Sequence, residues 1–294
     1  MNIYLFGKSS LSGQAFYEYF NSQKSINKIY SFSRDSKQGY NLDLRQPFTF
    51  KLVDSNKFKI ISFAPIWDLS YFLDYLFIYE KSKLENLEGI IACSSTSALT
   101  KRFETNDFDK NLSSTLIKSE EKIIGIAQEL KIDCQIIRPT LIYGNLKGLK
   151  DKNISKILFI MRTLKFILLP SNTGYRQPIH AYQLAEVVYF LMNKFLISER
   201  KPNINCINVG GDQILDFGQM LETLKDTLKF NDRAKRCVIL KIPNRLFFIF
   251  IAPIMIFSPK YYASLARICS DLSGFDKSCD ITKTEPKPFP CRDT

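Results

Sequence analysis

Short apolar runs alternate with amphipathic stretches through the first two-thirds of the chain. The runs Asn2–Phe6, Lys28–Phe32, Phe58–Phe63, Gly89–Cys93, Cys134–Ile137 and Asn205–Val209 predict strands. Most are continuously apolar rather than alternating, which suits parallel strands covered on both faces. The stretches Gln14–Phe20, Leu69–Tyr79, Ser113–Leu130 and Tyr182–Phe195 predict helices between them. In the third, Leu116, Ile123, Ile126, Ala127 and Leu130 trace one apolar face. Strand and helix in repeated alternation predict an α/β fold with a doubly wound parallel sheet.

The pattern changes after residue 144. Asn145–Asn153 is polar and rich in Lys and Gly, a predicted loop, and Ile154–Leu169 is apolar and basic. Residues 210–294 hold further helices and a Pro-rich tail. The expected division is a sheet domain of residues 1–144 with 176–209, and a smaller lobe of residues 145–175 and 210–294. That lobe would lie over the carboxyl ends of the strands and bind substrate. The longest apolar run, Leu246–Phe257, is interrupted by Pro253 and falls short of the ~20 residues that span a bilayer. It predicts a core or lobe-covering helix kinked at Pro253. The alternative is a shallow interfacial helix, with Arg245 and Lys260 at its ends and Lys156–Leu169 as a second basic and apolar surface.

Composition narrows the function. Lys and Arg number 41 against 29 Asp and Glu, a net charge of +12. Such a balance attracts nucleic acid, anionic lipid or phosphorylated small molecules. Interleaved acids break up most basic stretches, and no helix-turn-helix, aromatic-basic sheet motif or zinc module is present, so no nucleic-acid partner is expected. Seven scattered Cys without a Cys-x-x-Cys pair, beside a single His, argue against a metal site and against a disulfide framework. Cys93, Cys134 and Cys206 fall in strand-like runs, as small buried hydrophobes would. Met1 leads directly into a predicted strand without the basic and apolar regions of a signal peptide. A cytoplasmic location is expected, with a membrane-peripheral one as the alternative.

The first strand runs into Gly7-Lys8-Ser9-Ser10-Leu11-Ser12-Gly13. A dinucleotide site needs a tight turn there, close backbone approach to a pyrophosphate, and helix N-terminal amides facing anionic oxygens. Gly7 and Gly13 meet the first and last needs; Ser10 stands at the middle position. The second strand ends in Arg34, which suits the 2′-phosphate of NADP where an acidic residue would suit NAD. Asp43 stands where it could reach the adenine amino group or simply close a turn.

Further pieces follow in order: Ser62-Phe63-Ala64-Pro65, Ser94-Ser95-Thr96-Ser97, Arg138-Pro139-Thr140-Leu141-Ile142-Tyr143-Gly144, Arg176-Gln177-Pro178-Ile179-His180, Asn208-Val209-Gly210-Gly211 and Lys287-Pro288-Phe289. With the glycine turn, these resemble the extended short-chain dehydrogenase/reductase superfamily, specifically its NAD-dependent epimerase/dehydratase group. The resemblance is to an atypical, nucleoside-diphosphate-sugar epimerase-like branch, which itself resembles a respiratory complex I accessory subunit that binds a nucleotide without evident turnover. It implies a Rossmann-type sheet, NADP or NAD as cofactor and a nucleotide-sugar substrate. It also implies pairing of two copies through the helices after the fourth and fifth strands.

The resemblance places Gly7, Ser9, Ser10, Leu11, Gly13, Arg34, Asp43, Ala64, Pro139 and Thr140 around the cofactor, and Arg176 and His180 at the substrate. In the superfamily a Ser and a Tyr polarise a substrate oxygen, and a Lys four residues after the Tyr lowers its pKa. Ser95 matches the Ser and Lys118 the Lys, but Ser114 stands where the Tyr should be. A serine hydroxyl is shorter and far less acidic than a phenol of pKa about 10. Lys101 is a second candidate Lys. Tyr182 and Gln183 replace two Asp that often follow the His. Two functions stay open. One is a nucleotide-sugar epimerase, dehydratase or reductase acting by transient hydride transfer, in surface polysaccharide synthesis. The other is a catalytically degraded NAD(P)-binding regulatory or assembly subunit.

Overall fold

The computed structural model describes residues 2–23, 27–34, 39–102, 104, 106–194 and 202–291. In chain order the main elements are β1 (Asn2–Phe6), α1 (Leu11–Ser22), β2 (Lys28–Ser33), β3 (Tyr40–Asn41), β4 (Phe58–Ser62), α2 (Ile66–Tyr79), β5 (Leu87–Cys93), α3 (Ser97–Thr100), α4 (Asp107–Leu130) and β6 (Asp133–Pro139). There follow α5 (Ile154–Thr163), β7 (Phe166–Pro170), α6 (Ala181–Lys194), β8 (Ile204–Gly210), α7 (Phe217–Thr227), β9 (Val238–Ile242), α8 (Asn244–Phe257) and α9 (Pro259–Ala266). Each predicted strand and helix falls on one of these elements. Phe195, the last residue of the predicted fourth helix, lies outside the described residues.

The chain divides into two compact units. The first comprises residues 1–102, 112–139 and 181–209, and the second residues 103–111, 140–180 and 210–294.

In the first unit the strands run parallel in the order β3-β2-β1-β4-β5-β6-β8. The order reverses at β1, which pairs Phe6 with Phe32 of β2 on one side and with Ser62 of β4 on the other. Outside the carboxyl ends at such a reversal, doubly wound sheets bind their ligands. β1 and β4 are buried along their whole length, including the polar Asn2, Lys59 and Ser62. The core on one side is aromatic: the Tyr4 ring stacks on Phe58 with centroids 4.4 Å apart, and Phe72 meets Phe6 and Phe50 edge-on. On the other side α1 packs on α6, with Tyr19 against Tyr189 and the Tyr182 hydroxyl donating to Glu18 at 2.5 Å.

The second unit is built around the parallel pair β7–β9, with α5, α7, α8 and α9. Its core gathers Tyr143, Met161, Leu169, Met220, Leu221, Leu224 and Phe289. A capping box starts α7: the Asp216 carboxylate accepts from the Gln219 amide while the Gln219 side chain accepts from the Asp216 amide. Helix α8 lies at the surface rather than in the core. Only Phe247 and Ile251 are buried, Pro253 sits inside the helix, and most of its other apolar side chains face outward. No helix among the described residues is long and apolar enough to cross a membrane.

Lys59, the second residue of the buried strand β4, is 2% exposed. Its ammonium donates to the carbonyl of Met192 at 3.2 Å, among the last carbonyls of α6, which have no partner within the helix. Burial pulls its pKa down from 10.5 to about 8. The unfolded chain therefore holds this proton between pH 8 and 10.5 while the folded chain has released it, so stability rises with pH across that window. In urea denaturation over this range, the stability difference between the wild type and Lys59→Met should shift in favour of the wild type as pH rises. A pH-independent difference would show that Lys59 titrates normally.

Candidate functional site

The turn from β1 into α1 is held by backbone proximity. Gly7 has φ +80°, and a Cβ there would lie 2.5 Å from the Ala64 nitrogen and 2.7 Å from the Phe63 carbonyl carbon. A Cβ on Gly13 would lie 2.2 Å from the Gly7 oxygen. Only glycine fits either position. Ser10 is the N-cap of α1: its hydroxyl donates to the Gly7 carbonyl at 2.8 Å and accepts from the Gly13 amide at 3.1 Å. The residue at the position of the missing middle glycine thus closes the turn itself. The amides of Leu11 and Ser12, in the first turn of α1, have no intrahelical acceptor and no acidic side chain beside them. Ser9 is exposed and Leu11 half-buried. Amides of this kind at a helix N-terminus can face an anion.

Beside it, the ends of β2 and β3 carry paired charges. The Asp43 carboxylate accepts two bonds from the Arg45 guanidinium, at 3.0 and 2.6 Å. The Arg45 pairing holds its pKa down at about 2, and the charge of Arg34 acts in the same direction. Burial raises the pKa of nearby Asp68 at the start of α2, against the pull of Arg45 and Arg34. Arg34 itself is exposed. Arg45 and Asp68 were missed by sequence reasoning. The spacing Asp43-Leu44-Arg45, an Asp two residues before a donor, was the available signal for Arg45.

The loops after β5 and β6 are joined. Thr96 donates through its amide and its hydroxyl to the carbonyl of Pro139, at 3.1 and 3.2 Å. The hydroxyl of Ser95, half-buried, accepts from the Ser97 amide at 3.1 Å. Below this loop lies Glu120 of α4, 2% exposed. Its carboxylate accepts from the Ser94 hydroxyl and from Nε and Nη2 of Arg138, the Nε contacts being 3.0 Å. The Glu120 bond also raises the Arg138 pKa above its ordinary value.

Ser114 and Lys118 point elsewhere: both are exposed on α4. The buried side chains on these turns are Ser113, Leu116, Ser119 and Glu120. Ser113 donates to the Ala98 carbonyl at 2.6 Å. The helix therefore does not direct the expected pair to the face that carries Glu120. Sequence reasoning did not single out Glu120 as the group that faces inward.

In the second unit, Thr140 donates to the Gln177 carbonyl. Arg176 is 5% exposed. Its guanidinium donates to the carbonyls of Tyr175, Ser270 and Arg267 and lies over the Phe217 ring. Burial lowers its pKa to about 10. These bonds occupy donors that a substrate phosphate would otherwise take. His180 is 2% exposed, with its ring edge-on to Tyr143 at 5.0 Å; the Tyr143 hydroxyl accepts from the Cys291 amide at 2.9 Å.

No protein-family model matches the chain, and no curated protein matches its sequence. Its fold does match solved structures. With UDP-glucose 4-epimerase from Bifidobacterium longum in complex with NAD+ and UDP, the TM-score is 0.63 at 12% identity, over 98% of this chain and 94% of that one. With dTDP-glucose 4,6-dehydratase from Bacillus anthracis in complex with NAD, it is 0.60 at 12% identity, over 98% and 92%. With RMD from Pseudomonas aeruginosa complexed with NADPH, it is 0.62 at 11% identity, over 98% and 95%. At these identities the likeness establishes the fold: a Rossmann-like α/β fold of the kind found in nucleotide-sugar epimerases and dehydratases.

The Glu120–Arg138 pair is buried enough that losing one partner costs more than losing both. Arg138→Met should destabilise the protein by about 3–5 kcal/mol by stranding a buried carboxylate. The double variant Glu120→Met with Arg138→Met should recover most of that loss. Chemical denaturation of the four proteins gives the coupling; additive losses would mean the two charges are independently solvated.

Proposed function

We propose that the protein is an NAD(P)-dependent enzyme of the nucleotide-sugar epimerase/dehydratase kind. The observation that carries the reading is the turn between β1 and α1. There two obligatory glycines and two amides without helical acceptors form a pyrophosphate cradle at the reversal of strand order. Gly7, Ser9, Ser10, Leu11 and Gly13 would hold the pyrophosphate. Arg34, with Asp43 and Arg45 beside it, would receive the adenosine end, and its charge favours NADP. Ala64, Pro139 and Thr140 complete the proposed cofactor contacts. The bound nicotinamide would supply the hydride acceptor and donor for transient oxidation of a sugar carbon.

Ser95 is the proposed hydroxyl that polarises the substrate oxygen. The reading includes a cytoplasmic homodimer acting in surface polysaccharide synthesis, touching a membrane through residues 246–257.

One observation favours a second reading, a dinucleotide-binding regulatory or assembly subunit without turnover. Ser114 and Lys118 are exposed, and the buried residues on those turns are Ser113, Leu116, Ser119 and Glu120, the last already committed to Arg138 and Ser94. None of these is a phenol.

Calorimetric titration with NADP and NAD separates the cases when paired with a nucleotide-sugar turnover screen. NADP should bind, and Arg34→Ala should weaken it about tenfold or more through loss of a charge-assisted bond, with NAD little changed. Binding with turnover establishes the enzyme. Binding without turnover across the panel selects the second reading. Failure of both dinucleotides to bind overturns both.

A further inference from the structure

The second unit carries an apolar surface that nothing in the catalytic reading uses. On α8, Ile249, Phe250, Ile256 and Phe257 are 65%, 62%, 83% and 86% exposed. With Leu246 and Pro253 they recur at helical spacing, so one face of the helix is apolar from end to end and directed outward. The surface continues beyond the helix. α8 packs against α9 and β7; Phe159 and Leu164 at the end of α5, and Phe166 opening β7, are more than half exposed. The Lys156 ammonium of α5 lies over the Tyr261 ring of α9 at 5.7 Å, which places these two elements side by side. Single exposed apolar residues are ordinary, whereas a contiguous set marks a binding surface.

Its charge selects the occupant. From Arg233 to Ser270 the sequence holds no Asp or Glu. Lys156, Lys165, Arg245 and Lys260 stand exposed among the apolar side chains. A second copy of the chain would bring this same basic rim against itself, because a two-fold contact uses one patch twice. An anionic bilayer surface supplies the opposite charge and an apolar phase together. At 14 residues α8 is about 21 Å long, below the ~30 Å of a hydrocarbon core, so it cannot span.

We propose that α8, with α9, the end of α5 and the start of β7, docks in the plane of an anionic lipid surface. Ile249, Phe250, Ile256 and Phe257 enter the acyl boundary, and Arg245, Lys260, Lys156 and Lys165 sit at the headgroups. The proposal extends the membrane contact of the reading above but is independent of cofactor and turnover.

Co-sedimentation of the full chain with phosphatidylcholine vesicles, with and without phosphatidylglycerol, tests it. The wild type should pellet with the anionic vesicles and release as salt is raised. Ile256→Ser with Phe257→Ser, at fully outward positions, should keep the wild-type circular dichroism and melting and lose partitioning about tenfold or more. Arg245→Gln with Lys260→Gln should lose the preference for anionic over neutral vesicles. Three results would overturn the proposal. The first is absence of wild-type binding to anionic vesicles. The second is binding that neither double variant alters. The third is a dimer or a stoichiometric complex with an acidic protein that Ile256→Ser with Phe257→Ser dissolves while vesicle binding is absent. None of these readouts involves a dinucleotide, so failure here leaves the catalytic reading standing, and failure of dinucleotide binding leaves this one standing.

Discussion

A buried carboxylate organises the far side of the sheet in the first unit. Glu120 reaches from α4 to Arg138 at the end of β6 and to Ser94 at the end of β5. A carboxylate in that position is costly unless its lone pairs are matched, and here a bidentate guanidinium and a hydroxyl match them. The geometry of this match decides where the following loop can run. Ser94 donates from one side of the loop, and Thr96 is fastened to Pro139 on the other. Ser95 lies between two anchored neighbours, and its own hydroxyl is tied to the Ser97 amide. The same arrangement commits the one inward-facing acid of these turns to structure.

The opposite half of the sheet is set by contact rather than charge. Gly7 and Gly13 bring three backbone segments closer than any Cβ allows: the end of β1, the start of α1 and the loop after β4. In many dinucleotide sites a middle glycine lets the phosphates approach the turn. Here Ser10 occupies that place and uses its hydroxyl to hold both glycines. The turn gains a cap for α1, while the Leu11 and Ser12 amides keep no acceptor within the helix. The turn is therefore held in place even where its glycine pattern is incomplete.

The strands were legible because parallel strands buried on both faces are written as largely apolar runs. β1 follows that rule from Ile3 to Phe6, while β4 and β6 stay legible although β4 buries Lys59 and Ser62 and β6 buries Gln135. The glycine turn was legible because its steric demand admits a single residue type. Helix faces were harder. The spacing of Ser114 and Lys118 is that of a catalytic pair, but spacing fixes only that two residues share a helical face, not which way the face points. The apolar set Leu116, Ile123 and Ala127 fixes the inward direction, and Ser113 and Glu120 lie on it. Arg176 illustrates a different limit. A motif position can be read from sequence, yet the carbonyls of Ser270 and Arg267, more than 90 residues away, take up its donors.

Helix α8 shows why an apolar run does not state its own environment. Its composition suits a core helix, and a propensity or hydropathy argument ends there. What separates core from surface is whether another element supplies a matching face, and in the second unit that role is filled only at Phe247 and Ile251. The remaining apolar face gives the unit a deficit of burial relative to its composition. Such a deficit lowers stability in water and is recovered on any surface that takes the face up, because a ligand that binds only the folded state stabilises it by mass action. Pro253 fits this division. A proline in mid-helix removes a backbone donor and leaves the Ile249 carbonyl without its usual partner. Ile249 and Pro253 are both exposed, so water or the polar headgroup layer can reach that carbonyl. Deep insertion in hydrocarbon would leave it unmatched. The helix is suited to an interface, with one side apolar and polar partners within reach.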